Sequence, residues 1–197
     1  MLYSYVDSAN ICHLRLYAYK NEADVTTSCY FGPAYDATNT IKRTYTDCKV
    51  YGAVWNDYAE YRITKDIIEP GRCIREVGDD TLVLTTERLQ KGCEIVSDTF
   101  GFAIGESKKA KTPTAASGRV LAYLYEDREI AKQHIGDPVC SGPNGTVSIM
   151  TEEEEIKYPS RIIGTISSVP DYEIWNAGSD EDPEIIKVNK RIWIRVR

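Results

Sequence analysis

Two acidic residues, Asp57 and Glu60, lie three positions apart in the stretch NDYAEYR, and Asn56 directly precedes them. Cutting an inert peptide bond needs an aligned nucleophile together with a proton carrier. A spacing of three predicts that both carboxylates lie on one side of a helical turn. If assembly removes them from water, the pKa of one carboxyl rises, and the pair can then supply one acid and one base.

The same stretch also has a plain structural interpretation. Taken alone, NDYAEYR is more often a turn followed by a half-buried strand or a helical start. Tyr58 and Tyr61 would then pack against neighbours, and the two acids would be solvated. The residues around the stretch must decide between these alternatives.

Composition excludes several functional classes. The 197 residues include 24 Lys and Arg against 30 Asp and Glu, a net charge of −6. This balance argues against nucleic acid or an anionic membrane as the main partner. No apolar run approaches the roughly 18–20 residues that span a bilayer, and the N-terminus lacks an export signal. Six scattered cysteines and only two histidines predict reduced thiols, with no metal or cofactor site.

The N-terminal part of the chain is rich in tyrosine. It alternates apolar and polar residues in short stretches that Asn, Asp, Gly and Pro interrupt. Such alternation predicts short strands joined by turns. A segment of this size has little core of its own, so we expect it to need the rest of the chain or other copies of it.

Residues 71–124 and 136–196 are interpreted as two copies of one β-rich unit. DDTLVLTTE matches NGTVSIMTE with an offset of 65, counted from Thr81 to Thr146; EIVSD matches GTISS with an offset of 70, and GRVLAYL matches KRIWIRV with an offset of 72. Gly71 with Cys73 likewise resembles Gly136 with Cys140. Matched blocks in one order predict a duplication.

Both copies follow the same predicted order of elements: a strand, a tight turn, a second strand, a short helix and two closing strands. The predicted turns are Asp79-Asp80 and Asn144-Gly145, and the predicted helices begin after Thr86 and Thr151. Threonine followed by glutamate offers a hydroxyl cap and acids near the positive end of the helix dipole. The predicted fold is therefore mainly β with a few short helices.

The second part of the chain resembles a known family in six ordered blocks. They are NDYAEYR, SDTFGFAIGE, AKTPTAASGRVLAY, GDPVCSGPNGTVSIMT, RIIGTISSVPDYEIW and VNKRIWIRVR. They resemble the C-terminal intramolecular-chaperone autoproteolytic domain, a glutamic-peptidase-like domain, of phage tailspike, tail-fibre and neck-appendage proteins. The resemblance implies a strand-rich stem or fibre end over residues 1–56 and the autoprocessing domain over residues 57–197.

What the resemblance implies is a domain that trimerises and folds the fibre in front of it and then cuts itself free. In the family the new N-terminus is an aspartate, and a glutamate three residues later takes part in the cut. Carried over to this sequence, Asp57 and Glu60 are the catalytic carboxylates and the bond between Asn56 and Asp57 is scissile. Serine often precedes that aspartate in related systems, whereas Asn56 stands here.

Two chemical routes to this cut remain open. In the first, Glu60 is the base for a water that attacks the Asn56 carbonyl, and Asp57 positions or protonates the departing amide. In the second, the side-chain amide of Asn56 attacks its own carbonyl and leaves a cyclic imide. Water attack leaves an asparagine acid at the new C-terminus, and cyclisation leaves a succinimide.

The expected protein is thus a single-turnover peptidase acting in cis, folded as a homotrimer in the bacterial host cytoplasm and placed in the virion tail or appendage. Its expected partners are its own copies and an N-terminal fibre or tailspike segment. The alternative is a non-cleaving structural or receptor-binding tip whose tyrosine-rich part contacts a host-surface glycan. A hydrolase of outside substrates is least favoured, since the sequence shows no Ser-His-Asp order, metal cluster or phosphate loop.

Overall fold

Short runs with β-branched residues form several strands of this chain, for example TLVL at Thr81–Leu84 and IWIRV at Ile192–Val196. The structure is a computed structural model, and it describes residues 2–6, 12–16, 57–177 and 183–196. The chain divides into two compact units, residues 1–50 and 51–197. The predicted mainly β class with short helices is confirmed.

The first unit contains one described hairpin. Strand β1 (Leu2–Val6) pairs antiparallel with strand β2 (Cys12–Leu16), and Leu2 lies opposite Leu16. The rest of the predicted stem, including Asn56, lies outside the described residues.

The second unit contains, among its described residues, twelve strands and two short α-helices. The strands are β3 (Asp57–Thr64), β4 (Cys73–Gly78), β5 (Thr81–Leu84), β6 (Cys93–Ile95), β7 (Phe100–Ile104), β8 (Thr112–Ala122), β9 (Pro138–Ser141), β10 (Val147–Ile149), β11 (Gly164–Ser168), β12 (Ile174–Asn176), β13 (Ile185–Lys187) and β14 (Ile192–Val196). The helices are α1 (Arg128–Ala131) and α2 (Glu152–Lys157).

Ten of these strands form one sheet. Its order is β10-β9-β11-β14-β8-β3-β5-β4-β6, and β7 pairs with β3 from outside this path. Strand β3 runs antiparallel to β8 and parallel to both β5 and β7. Strands β12 and β13 form a separate antiparallel pair.

The sheet curls until its last strand returns to β8. Val96, the residue after β6, forms a β-bridge with Thr114 of β8. The next residue, Ser97, donates its backbone N–H to the Pro113 carbonyl at 2.9 Å. The curl therefore brings the segment 97–99 next to the first residues of β3.

The two predicted copies pair their strands in the same register. Ile74 lies opposite Leu84, and Val139 lies opposite Ile149, both displaced by the sequence offset of 65. Hydrogen bonds repeat as well. Gly71 N–H donates to the Val96 carbonyl and Gly136 N–H to the Ile166 carbonyl, both at 2.8 Å. Across the centre, Val120 of β8 lies opposite Ile194 of β14, and Ala122 lies opposite Ile192.

The predicted turns and one predicted helix are confirmed. Asp79 and Asp80 have φ of 51° and 55° in the turn between β4 and β5. Asn144 has φ of 55° in a single 3-10 turn. Helix α2 begins after Thr151, whose hydroxyl accepts the Glu154 N–H while the Glu154 carboxylate accepts the Thr151 N–H. This reciprocal pattern is a capping box.

The helix predicted after Thr86 is wrong. Residues 85–90 form turns and bends, and Leu89 has a left-handed φ of 60°. The Arg88 guanidinium is held by the Glu154 carboxylate at 2.5 and 2.7 Å. The Gln90 side chain accepts the Thr86 N–H at 2.9 Å. The Gln90 side chain thus satisfies a backbone N–H of this turn, and the Arg88 side chain ties the turn to α2.

The apolar core lies on both faces of the central β8–β14 pair. Val120 and Ile194 point into the larger cluster, together with residues of β9, β10 and β11. Leu121 and Trp193 point to the opposite face and pack with Ile186 of β13. Because successive side chains of β8 and β14 point to opposite faces of the sheet, this pair of strands contributes to both apolar clusters.

Truncating a central residue of this pair should destabilise the fold. Ile194 is fully buried, so Ile194→Ala should cost about 2–5 kcal/mol of unfolding free energy through lost burial and a cavity. The control is Ile185→Ala, because Ile185 is 54% exposed and should change stability by less than about 0.5 kcal/mol. Urea denaturation at one fixed protein concentration measures both, and equal losses would contradict the assignment of the core.

Candidate functional site

Asp57 is the first residue of β3 and one of the few acidic residues that the fold buries. It is only 1% exposed. Its neighbours across the sheet are Gly118 of β8 and Phe100 of β7. Strand pairing on both sides therefore fixes the backbone of Asp57, and the curl of the sheet encloses its side chain.

One Asp57 carboxylate oxygen is held by a hydroxyl from the curled segment. Thr99 Oγ1 donates to Asp57 Oδ1 at 2.8 Å. The Thr99 N–H donates to Ser97 Oγ at 3.0 Å, so the two hydroxyl residues support each other. Asp57 Oδ2 is buried and has no hydrogen-bond partner among the described residues. A buried carboxylate oxygen without a partner is costly when ionised.

This environment raises the pKa of Asp57 from 3.8 to about 6. The main cause is burial, which removes water from the charged form. The hydroxyls of Thr99 and Ser97 act in the opposite direction, and the nearby charge of Asp98 adds to the rise. A carboxyl that titrates near neutrality can hold or release a proton during a reaction.

Glu60 lies on the other face of the same strand. The predicted helical turn is wrong, because residues 57–64 form β3 with alternating burial at its start. Successive side chains of a strand point to opposite faces, so a spacing of three separates Asp57 from Glu60. A rise of roughly 3.4 Å per residue also places their Cα atoms about 10 Å apart. The two carboxylates do not meet within one chain.

The surroundings of Glu60 are exposed and charged. Its side chain is 48% exposed, and Arg62 Nη1 lies 3.8 Å from its carboxylate. Arg62 also lies 3.4 Å from Glu94, whose other oxygen accepts the Thr114 hydroxyl. Nearby, the ring of Tyr58 stacks on Phe102 with centroids 5.5 Å apart. Glu60 therefore borders an exposed surface with aromatic rings.

Sequence reasoning missed three residues of this site: Ser97, Asp98 and Thr99. The only local signal was the polar run Ser97-Asp98-Thr99 between two apolar strands, which is typical of a turn. Nothing in the sequence indicated that this turn contacts Asp57, because 42 positions separate Thr99 from Asp57.

Other classes of site are not supported by the part of the chain that the structure describes. There, no group of three or more His, Cys, Asp or Glu residues could hold a metal ion. In the same residues, no helix is long and apolar enough to cross a membrane. The three described cysteines of the second unit, Cys73, Cys93 and Cys140, are free thiols.

An open cleft lies beside the site. Its volume is about 400 Å³, and Ser97 forms part of its wall. Exposed lysines border it, among them Lys65, Lys109 and Lys111. The Thr64 and Thr112 hydroxyls, 2.7 Å apart, pair where β3 lies against β8. The cleft thus adjoins Ser97, while Asp57 and Thr99 are not among the residues that line it.

No protein-family model, curated protein or solved structure matched this chain.

The raised pKa of Asp57 makes a signed prediction about stability. The folded state binds the Asp57 proton more tightly than the unfolded chain, so this group favours folding below pH 3.8. The contribution is lost as pH rises through 6. The amide introduced by Asp57→Asn is neutral at every pH. This variant should therefore gain stability relative to wild type between pH 4 and pH 7.5, by about 3 kcal/mol at most.

Urea denaturation of both chains at pH 4, 6 and 7.5 tests this prediction. Both chains carry Glu60→Gln, so that water attack does not cut them, and mass spectrometry first verifies that each sample is intact. The difference in unfolding free energy between the two chains cancels the contributions of the other acidic residues. A difference that stays constant over this range would show that Asp57 titrates normally.

Proposed function

We propose that this chain is a self-cleaving intramolecular chaperone of a phage tail fibre, tailspike or neck appendage, which cuts the bond between Asn56 and Asp57. The observation that carries the proposal is Asp57. It is a buried aspartate at the start of the first described strand of its unit, with one oxygen that has no partner among the described residues and a pKa of about 6. The sequence resemblance assigns the new N-terminus to this same residue.

Burial equips Asp57 for the role of proton donor. The peptide nitrogen that leaves during hydrolysis belongs to Asp57 itself, so its carboxyl lies close to the departing group in the chain. A carboxyl with a pKa near 6 remains substantially protonated at mildly acidic pH and can protonate that nitrogen. Thr99 fixes the orientation of the carboxyl through its bond to Oδ1.

The placement of Glu60 limits how it can take part. In an extended strand, Glu60 cannot reach the peptide bond before Asp57 from its own chain. Two routes remain: Glu60 of a neighbouring subunit activates the water, or Asn56 cyclises without Glu60. We favour the first route, since it couples the cut to trimer assembly and so releases the chaperone only from correctly assembled fibres.

A homotrimer gives that route a physical basis. Phe102 is 53% exposed and Ile104 is 42% exposed on β7, close to Tyr58 and Glu60. Exposed apolar side chains on an outer strand favour association with another chain. A compact trimer at this end sets the register of the three fibre chains before their long-range contacts form. Removal of the chaperone then leaves the fibre kinetically trapped.

The second candidate is a non-cleaving structural or receptor-binding tip. The separation of Asp57 and Glu60 on opposite faces of β3 favours it, because one chain alone has no acid pair. The stacked rings of Tyr58 and Phe102 would then serve recognition, with a host-surface glycan as the expected ligand.

Intact mass spectrometry of freshly folded protein should show a fragment that begins at Asp57. Asp57→Ala should remain whole, since it lacks the proton donor, and so should Glu60→Gln if water attack operates. Light scattering of the same samples should show trimers. If wild type and both variants stay whole as stable trimers, the chain is a retained tip.

Mixing the two variants distinguishes the routes. Chains with Glu60→Gln keep the scissile bond, and chains with Asp57→Ala keep Glu60. If Glu60 acts between subunits, refolding them together should restore cutting of the Glu60→Gln chain, which has a distinguishable mass. Cyclisation predicts that Glu60→Gln alone is cut, with an N-terminal fragment lighter by one water. Cutting only by wild type, without restoration in the mixture, would contradict both routes.

The cut should also depend on pH in a defined direction. Because the protonated Asp57 carboxyl is the donor, the rate should fall about tenfold for each pH unit above 6. Following fragment formation from pH 5 to pH 8.5 measures this, and a rate that rises steadily with pH would exclude Asp57 as the acid.

A further inference from the structure

Arg191 is a buried cation at the C-terminal end of the fold. Its side chain is 2% exposed, and it lies just before β14. The guanidinium donates twice to Asp98, at 2.7 and 2.9 Å. It also donates to the carbonyls of Val188 at 3.1 Å and Lys187 at 2.5 Å. A buried guanidinium is tolerated only when it is paired and hydrogen-bonded in this way.

The partner of Arg191 is the middle residue of the segment that holds Asp57. Asp98 lies between Ser97 and Thr99, and Thr99 donates its hydroxyl to the Asp57 carboxylate. A two-pronged bond between guanidinium and carboxylate fixes orientation as well as distance. Arg191 therefore restrains the backbone of residues 97–99 from the opposite end of the chain sequence.

Space for the Arg191 side chain is provided by Gly71. A Cβ on Gly71 would lie 2.4 Å from Arg191 Cδ. Gly136, its counterpart at the offset of 65, also has a positive φ and makes the same backbone hydrogen bond. Around Gly136, however, no described atom lies within 4 Å of such a Cβ. Both glycines serve the turn, but only Gly71 also makes room for an arginine.

The ion pair between Asp98 and Arg191 is not repeated at the two equivalent positions of the internal repeat. The offsets of 70 and 72 relate Asp98 to Ser168 and Arg191 to Arg119. Ser168 has no carboxylate, and the Arg119 guanidinium lies over the Trp193 ring, 5.0 Å from its centroid. The bidentate pair thus joins the two copies at Asp98, within the segment that holds Asp57, and is not repeated between Ser168 and Arg119.

We propose that Arg191 is a positioning residue for Asp57: through Asp98 it holds Ser97 and Thr99 in place, so the site is complete only when the C-terminal turn and β14 have folded. This inference rests on the proposed self-cleavage and adds a condition to it: the cut requires a completely folded chain. Asp57 begins the first described strand of the second unit and Arg191 directly precedes the last one, so an incompletely folded chain has a misplaced donor and is not cut.

The test compares Arg191→Gln with Arg119→Gln in the full chain. We expect Arg191→Gln to slow cutting by roughly tenfold or more, because small displacements of catalytic groups are costly. Arg191→Lys keeps the positive charge but cannot form the bidentate bond to Asp98, so it should cut at an intermediate rate. Arg119→Gln should cut like wild type. Gly71→Ala and Gly136→Ala form a second matched pair, in which Gly71→Ala should be slower.

Thermal denaturation of each variant separates positioning from general destabilisation. Equal rates for Arg191→Gln, Arg119→Gln and wild type would overturn the inference, and so would a slow Gly136→Ala that matches Gly71→Ala. If Arg191→Gln does not fold, Arg191→Lys decides: a wild-type rate in that variant would show that the bidentate bond is not required.

A second readout does not depend on cutting. In a Glu60→Gln background, which keeps the chain whole in the favoured route, the Asp57 carboxyl should titrate at higher pH with Arg191→Gln than without it by carbon NMR. The reason is that Asp98 loses its counter-charge and the hydroxyl donors lose their support. The groups that face this carboxyl are Ser97, Asp98 and Thr99. If wild type is never cut but the titration moves, the proposed function fails and the positioning role stands. An unchanged titration would overturn the positioning role.

Discussion

The antiparallel pairing of β8 and β14 is the contact on which the rest of the second unit depends. It joins the two similar segments of the sequence, and its alternating residues supply both faces of the core. Val120 lies opposite Ile194 at its centre. Because β3 pairs with the other edge of β8, the position of the candidate site is set by the same pair of strands.

The curl of the sheet converts this framework into a site. A flat sheet would have left the start of β3 open to water. Instead, the bridge from Val96 to Thr114 returns the chain to β8 and places Ser97 and Thr99 against Asp57. Burial then raises the pKa of the Asp57 carboxyl to about 6, a range in which carboxyls can transfer protons. The same residue in a short peptide in water would keep its ordinary pKa.

Two buried ionisable groups, Asp57 and Arg191, are treated differently by the fold. Arg191 has several acceptors, including both oxygens of Asp98. Asp57 has one donor and one oxygen without a partner among the described residues. A satisfied buried ion holds structure in place, whereas an incompletely satisfied one stores free energy that chemistry can use.

The sequence by itself determined the local features: the mainly β class, the turns at Asp79-Asp80 and Asn144-Gly145, and the capped helix after Thr151. These depend on residues that are neighbours in the chain, so local rules suffice. Only the tertiary structure decided that residues 57–64 form a strand, which separates Asp57 from Glu60, and that a turn with Arg88 bound to Glu154 follows Thr86. It also brought Arg191 to Asp98 across 93 positions. Those outcomes depend on strand pairing and burial between distant segments, which a short stretch of sequence does not encode.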